Sequence, residues 1–459
     1  MLSGCDTRSA PEWLGGSVRA PRDTGKLIVL TVRGPNTIHD APGGYVPESD
    51  ATLSGYEHDL ADLFAKEIGV KAKFEVLPSH AKLIEALDKG RGHLAAAGLA
   101  MSDELRARFA FGPSYKSIQY QLIYRAGDPR PRTLNDAVGK KIAVIADTPA
   151  HDILRDLTGS YPGIVIDVLP HESDADAMLA RVDGGESDFA LADALGFAVA
   201  RRVHPNLAAA FNVGREMKVA WAFSLAADET LQEEANLFFD KMKRNGTLAR
   251  LMDRYYGHTG RIQAIDSEAI IQKTQSVLPK LRAYFHEAQE LTGIEWRLIA
   301  AIGYQESHWD SLATSPTGVR GIMMLTEDTA DRLKIKNRLD ARESIIGGAK
   351  YLATLRDTVP ARIPEPDRTW LALAAYNQGY GHLEDARILT QRLKLNADAW
   401  LDVRKAYPLL QVADHYESLK FGYARGDEAV GFVESVRNYY DILARLEKPY
   451  APGFTLNEE

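Results

Sequence analysis

Between residues 27 and 257 short apolar runs alternate with segments whose apolar residues recur every three or four positions. LIVLTV, KFEVL, HLAAAGL, YQLIY, KIAVIA, IVIDVL, FALA and VAWAFSL have the length and composition of strands. Between them DLADLFAKEIG, AKLIEALDKG and DADAMLARVDGG have helical spacing and run into glycine, a stop signal. That alternation predicts an α/β domain. From Ser267 to Leu446 the strand pattern disappears, and helical spacing is broken only by loops such as TSPTGVRG and VPARIPEPDR. The shift predicts a tether over 1–26, an α/β domain over 27–257, a linker at 258–267 and an all-α domain over 268–459.

Composition narrows the function. A chain of 459 residues exceeds what one core organises, and 45% hydrophobic with 26% charged residues is ordinary for a folded protein. A net charge of −8, with no basic run interleaved with aromatics, argues against a nucleic-acid partner. No run approaches the roughly 18 apolar residues that cross a bilayer. Cys5 is the only cysteine, so a disulfide within the chain is excluded. The 12 histidines include no pair at zinc-site spacing, and no metal or cofactor is expected.

One acid stands apart. Ile299, Ile302 and Glu306 are spaced i, i+3, i+7, which puts the carboxyl on a face turned to the core. Partial desolvation raises a carboxyl pKa and keeps the proton on, as general-acid cleavage of a glycosidic bond requires. The competing reading is a solvated glutamate at a helix end.

The surrounding residues resemble a known family. YQESHWDSLATSPTGVRGIMMLT is similar to the Glu-Ser and Gly-x-x-Gly-Leu-Met motifs of lytic murein transglycosylases. LAAYNQGYGHLEDAR resembles their Ala-Tyr-Asn-x-Gly motif, and GFVESVRNYYDIL their closing tyrosine motif. The resemblance implies a lysozyme-like helical domain that cleaves the bond between N-acetylmuramic acid and N-acetylglucosamine without water. The product is a 1,6-anhydro end, and the role is cell-wall turnover and remodelling. It implies Glu306 as acid and then base, with peptidoglycan glycan strands bound by Ser307, Ser315, Gly321, Met323, Tyr376, Asn377 and Tyr439. Ser307 is expected to hydrogen-bond the acid, and Gly318 and Gly321 to let a tight loop approach the sugar. Tyr439 or Tyr440 is expected to offer a hydroxyl to substrate or acid, Tyr440 fitting core packing better. Met324 departs from the family, where many members have glutamine. Asp310, Glu327 and Asp328 lie outside the acid's matched motif position, and the resemblance implies none of them as a second carboxylate. A lysozyme-like hydrolase and a glycan- or peptide-binding protein without catalysis are the alternatives.

SGYEHDLADLFAKEIG, AAAGLAMSDELRARFAFGPSY, GKKIAVIADTPAHDIL, SDFALADALGFAVA and NGTLARLMDRYYG resemble periplasmic solute-binding domains of the amino-acid-uptake type. This implies a two-lobed, periplasmic-binding-protein-like domain around a cleft, with Ser102 and Asp193 at ligand positions. Leu105 stands where that family clamps a carboxylate with arginine. A non-catalytic, regulatory cleft that reads muropeptide stem peptides is therefore expected rather than amino-acid capture, with a structural relic as the alternative. Finally, Leu2-Ser3-Gly4-Cys5 resembles the lipobox of bacterial lipoproteins, without the charged and apolar regions that precede it there. It implies a lipid on Cys5 and a place on the periplasmic face of the outer membrane; Asp6 resembles an inner-membrane retention signal.

Overall fold

The strand Lys26–Val32 organises the front of the chain. Parallel partners flank it, Lys71–Leu77 on one side and Leu94–Ala95 on the other. Ala222–Ser224 and Phe109–Phe111 extend this sheet in antiparallel fashion. A second five-stranded sheet runs in the order Leu207–Val219, Lys116–Arg125, Phe189–Asp193, Lys141–Ile145, Val165–Leu169. This is a computed structural model that describes residues 18–34, 37–40, 53–171, 173–224, 229–257, 264–315 and 318–451. Cys5 and the first part of the tether lie outside the described residues.

The chain crosses between the two sheets at 112–115 and again at 220–221, and the crossings are tied together. Gly112 donates to the Trp221 carbonyl at 3.0 Å, and Tyr115 to the Val219 carbonyl at 3.2 Å. Beneath them sits Glu57, 0% exposed on the helix Tyr56–Glu67. Its carboxylate accepts from the Tyr115 hydroxyl at 2.7 Å and the Trp221 indole at 3.2 Å, and pairs with Lys116 at 3.1 Å. A buried carboxylate is tolerable only when its lone pairs are satisfied in this way. The result is an α/β unit of two lobes.

Two expectations needed revision. HLAAAGL contributes only Leu94–Ala95 as strand. Leu207–Val219, the longest strand, was not anticipated: it is alanine-rich, carries Gly214, and has register shifts at Ala209/Phe211 and Val213/Met217. Such irregularities erase the alternation by which a strand is recognised.

From Ala264 onward the described structure is helical, and its first helix, Ala264–Ser276, already starts inside the expected linker. Trp296–Ser307 lies against Leu278–Thr292 and Gly426–Leu446, which in turn packs on Asp367–Gln378. One core includes Phe285, Ile299, Ile302, Leu371, Val433 and Tyr440. Of the described residues, 18–40, 53–200 and 206–251 form one compact unit, while 201–205 and 252–451 form the other. The helical unit thus takes in Asp253, which pairs with Arg404 at 2.8 Å and with the buried Arg437 at 3.4 Å. Glu434, 1% exposed, completes the network by accepting from the Trp400 indole and Arg404, each at 3.0 Å.

Candidate active site

The helix Trp296–Ser307 is buried along its length from Trp296 through Tyr304. It ends abruptly, because His308 and Trp309 take left-handed conformations with φ of 52° and 61°. His308 N–H closes the last turn on the Tyr304 carbonyl at 2.8 Å, and the Trp309 indole is tied to the Ala300 carbonyl at 2.8 Å. Two adjacent left-handed non-glycine residues cost roughly 1–3 kcal/mol each, a strain usually found beside functional groups. They leave Glu306 half-buried on the final turn.

Glu306 has no hydrogen-bond partner among the described residues, and no neighbouring charge shifts its titration. Burial alone pushes its carboxyl up to about 8. Near neutral pH the group therefore holds its proton. Asp310, Glu327 and Asp328 are all exposed.

The loop beside the acid is tightly built. Gly321 N–H donates to the Ala313 carbonyl at 2.9 Å, and Arg320 exchanges backbone hydrogen bonds with Leu325 at 3.2 and 3.1 Å. Ser315 Oγ accepts from Val319 N–H at 3.3 Å. Gly321 has φ 81°, and a Cβ there would stand 1.8 Å from the Arg338 carbonyl, so only glycine fits. Gly318 has the same φ of 81° but open space around it. Arg338 donates to the carbonyls of Gly318 and Leu325, both at 3.0 Å. The buried Ser344 hydroxyl accepts the Met323 N–H at 3.1 Å. Sequence reasoning missed Arg338 and Ser344; they lie outside every motif and reveal themselves only by folding back.

Three side chains do something other than expected. Ser307 does not bond the acid: its hydroxyl faces the carbonyls of Gly303 at 3.1 Å and Ile322 at 2.9 Å, stitching the helix to the loop. The Met323 side chain is not a sugar contact, being 0% exposed and wedged where a Cβ on Gly348 would meet it at 2.6 Å and one on Gly303 at 3.3 Å. Tyr439 is 6% exposed, with its ring edge-on to Tyr304 at 4.8 Å, and no hydrogen bond joins it to Glu306. Burial, and then the charge of Asp266, push its hydroxyl up to about 12.

Tyr376 is the tyrosine that meets the acid's field. Burial first, then the charge of Glu306, raise its hydroxyl well above the usual range, and that hydroxyl donates to the Met323 carbonyl at 2.9 Å. Its ring sits between Tyr351 at 5.2 Å and Phe432 at 6.2 Å. Asn377, one residue on, is exposed at the helix end, its carbonyl oxygen accepting from Gln378 at 3.0 Å. Met324, half-buried, has φ 47°.

In the α/β unit, Asp193 ends its strand and accepts the Gly196 N–H at 2.8 Å. Burial holds its carboxyl above the usual range, against the opposing pull of backbone N–H groups and of Lys116. Ser102 accepts the Leu105 N–H at 3.2 Å as a helix cap. Leu105 packs against the lobe core of Leu83, Leu87 and Phe109, and Arg106 is exposed, turned to the Met101 carbonyl at 3.5 Å. Among the described residues no three His, Cys, Asp or Glu are grouped as metal ligands.

Comparison with known proteins agrees with this division. Residues 283–398 match the family described as Transglycosylase SLT domain, and 37–258 match Bacterial extracellular solute-binding proteins, family 3. Among solved structures, the P235GK mutant of ArgBP from T. maritima is 21% identical with a TM-score of 0.44, covering 52% of this chain and 97% of that one. Two relatives called membrane-bound lytic murein transglycosylase F cover nearly everything. That of Nitrosospira multiformis is 46% identical over 99% of this chain and 92% of its own, and that of Methylobacillus flagellatus 44% identical over 99% and 94%. With relatives of this identity covering nearly its whole length, the chain belongs to the membrane-bound lytic murein transglycosylase F family.

Proposed function

We propose that Glu306 is the acid with which this peptidoglycan lytic transglycosylase cuts the β-1,4 bond between N-acetylmuramic acid and N-acetylglucosamine. The observation that carries this is a half-buried carboxyl with no hydrogen-bond partner among the described residues, pushed by burial up to about 8. Glu306 gives that proton to the bridging oxygen as the bond to C1 of the muramic residue breaks. The carboxylate left behind is a strong base in the same dry setting, and it takes the proton of the C6 hydroxyl. The C6 oxygen then bonds C1, closing a 1,6-anhydro ring with no water consumed. Intramolecular attack needs no second catalytic carboxylate, which fits an acid whose titration no other charge perturbs. Tyr376, anchored on the Met323 carbonyl, forms a wall of the site. Ser315, Gly321 and Asn377 present polar atoms and close backbone to the strand, while Ser307 holds the acid's helix to the loop.

The α/β unit is read as a non-catalytic regulatory cleft. Asp193 offers a carboxylate for an amino group, while Leu105, turned into the lobe core, removes the arginine clamp of an amino-acid site. Stem peptides fit that chemistry better than free amino acids. The chain is membrane-associated by family, and no helix among the described residues is long and apolar enough to cross a bilayer. A lipid on Cys5, on the periplasmic face of the outer membrane, is our reading of the anchor.

The deciding experiment is mass spectrometry of fragments released from purified murein by the protein and by Glu306→Gln. Anhydro fragments one water lighter than hydrolysis products, absent with Glu306→Gln, are expected. Reducing ends formed in step with cleavage would make the enzyme a hydrolase, and full activity of Glu306→Gln would move the acid elsewhere.

A further inference from the structure

Two large rings of the helical unit stand in water: Phe421 is 49% exposed and Tyr423 is 55% exposed. Both lie on the loop between the short helix Ala413–Tyr416 and the long helix Gly426–Leu446. Single exposed rings on a loose loop are ordinary. This loop is held from below. The carboxylate of Asp385, 1% exposed, accepts the backbone N–H of Phe421 at 2.8 Å and of Gly422 at 3.2 Å. Arg392 donates to Ser418 Oγ at 2.7 Å and holds the loop's beginning. Phe421 rests on the backbone of Gly381, where any Cβ would come within 2.6 Å of the ring. Tyr423 is braced edge-on by Tyr416, 5.7 Å between centroids. A buried carboxylate is an expensive fixture, and here it fixes the backbone beneath rings that gain little burial from it.

The position matters as much as the rigidity. Gly381 lies four residues beyond Asn377, and Tyr376 is the tyrosine that feels the charge of Glu306. Phe421, seated on Gly381, thus lies at the start of the helix Tyr380–Arg392, directly after the helix Asp367–Gln378 that carries Tyr376 and Asn377. Lys420 adds charge, its ammonium 5.2 Å from the centre of the Phe421 ring.

We propose that Phe421 and Tyr423 form an aromatic platform that stacks sugar rings of the glycan strand away from the bond being cut, with Lys420 facing a carboxylate of an attached stem peptide. The assignment rests on the lyase reading of Glu306 for its substrate. A pyranose ring offers a flat C–H face, and an aromatic ring supplies matching area with few torsions to freeze. Because the loop is already ordered, little is lost in ordering it on contact.

The test uses the full chain carrying Glu306→Gln, so that binding is read apart from cleavage, by co-sedimentation with purified murein sacculi and with peptide-stripped glycan. Phe421→Ala and Tyr423→Ala are each expected to weaken binding about threefold, and together about tenfold. Phe421→Trp should restore most of the loss, which a purely structural role would not allow. In the chain that keeps Glu306, the double variant should raise KM for sacculi far more than it lowers kcat. Lys420→Ala should weaken binding to sacculi but not to stripped glycan. Should the double variant unfold, Tyr423→Ala alone decides, since that ring does not rest on Gly381. Unchanged binding and KM would overturn the platform. So would a loss confined to sacculi, because the rings would then be meeting peptide rather than sugar. Cleavage by Glu306→Gln would overturn the acid while leaving the binding result to be read on its own.

Discussion

Glu57 and Glu306 are the same residue in two kinds of burial. Glu57, in the α/β unit, is fully enclosed and receives a hydroxyl, an indole N–H and an ammonium. Glu306, in the helical unit, is only half-buried yet receives no hydrogen bond from the described residues, and burial pushes its carboxyl up to about 8. Glu434 sides with Glu57, having the Trp400 indole and two arginines. Depth of burial therefore does not separate these acids; the supply of donors does, and on the proposed function that is what frees Glu306 for chemistry. Where donors surround a carboxylate its charge is part of the architecture. Where they are withheld, a proton takes their place.

The sharpest way to break the contrast is to neutralise each acid. Glu306→Gln should cut the cleavage rate about a thousandfold, the size of a general-acid contribution, with melting temperature unchanged or raised. Glu57→Ala should leave Lys116 buried without its partner and cost ~3–5 kcal/mol in the α/β unit, read by urea denaturation. If the first variant melts early and the second does not, the two roles have been assigned the wrong way round.

The remaining network supplies a next, smaller test. A fragment beginning at 268 removes Asp253 and leaves Arg437 and Arg404 with Glu434 alone. It should be about 2 kcal/mol less stable than one beginning at 252, compared by thermal melts. Equal stability would show that Asp253 is a bystander.

The subtlest effect is in pH. In the proposed role Glu306 acts as a protonated acid, a form complete below about pH 7 and lost as pH rises through about 8. Cleavage should fall in that upper window rather than near pH 4.5. For stability, the raised pKa means the folded state binds a proton that the unfolded chain has released between about 4.5 and 8. Folding is therefore progressively disfavoured as pH rises across that window. The melting temperature of Glu306→Gln, relative to the parent, should climb from pH 5 to 8 and then level off. A constant difference would place the carboxyl pKa near the ordinary value.

Much of this was legible in the chain. Ile299, Ile302 and Glu306 share a helix by spacing alone, and the loss of strand pattern near residue 257 announced helices, although the compact units divide between 251 and 252. What could not be read was anything requiring return of distant chain. Ser307 faces two carbonyls supplied by its own helix and by the loop 15 residues later, so adjacency to Glu306 misled. Met323 was assigned to sugar because its motif is; only the close backbones of Gly303 and Gly348 show that it fills the core. The strand Leu207–Val219 was lost to its own bulges. Segment 252–257 belongs with the helices through ion pairs made some 150 to 185 residues further on.

The single carboxylate beneath both sheet crossings has a kinetic side. Since Glu57 bonds to residues of each crossing, freeing either sheet alone would strand a buried charge against the one that remains. Partial melting of one lobe is thereby penalised, and the two lobes are bound into a single cooperative block although each has its own sheet. Slow amide exchange in Lys26–Val32 and in Lys116–Arg125 should then rise together under mild denaturant, with one opening free energy for both. With respect to unfolding, the two lobes would then behave as one body.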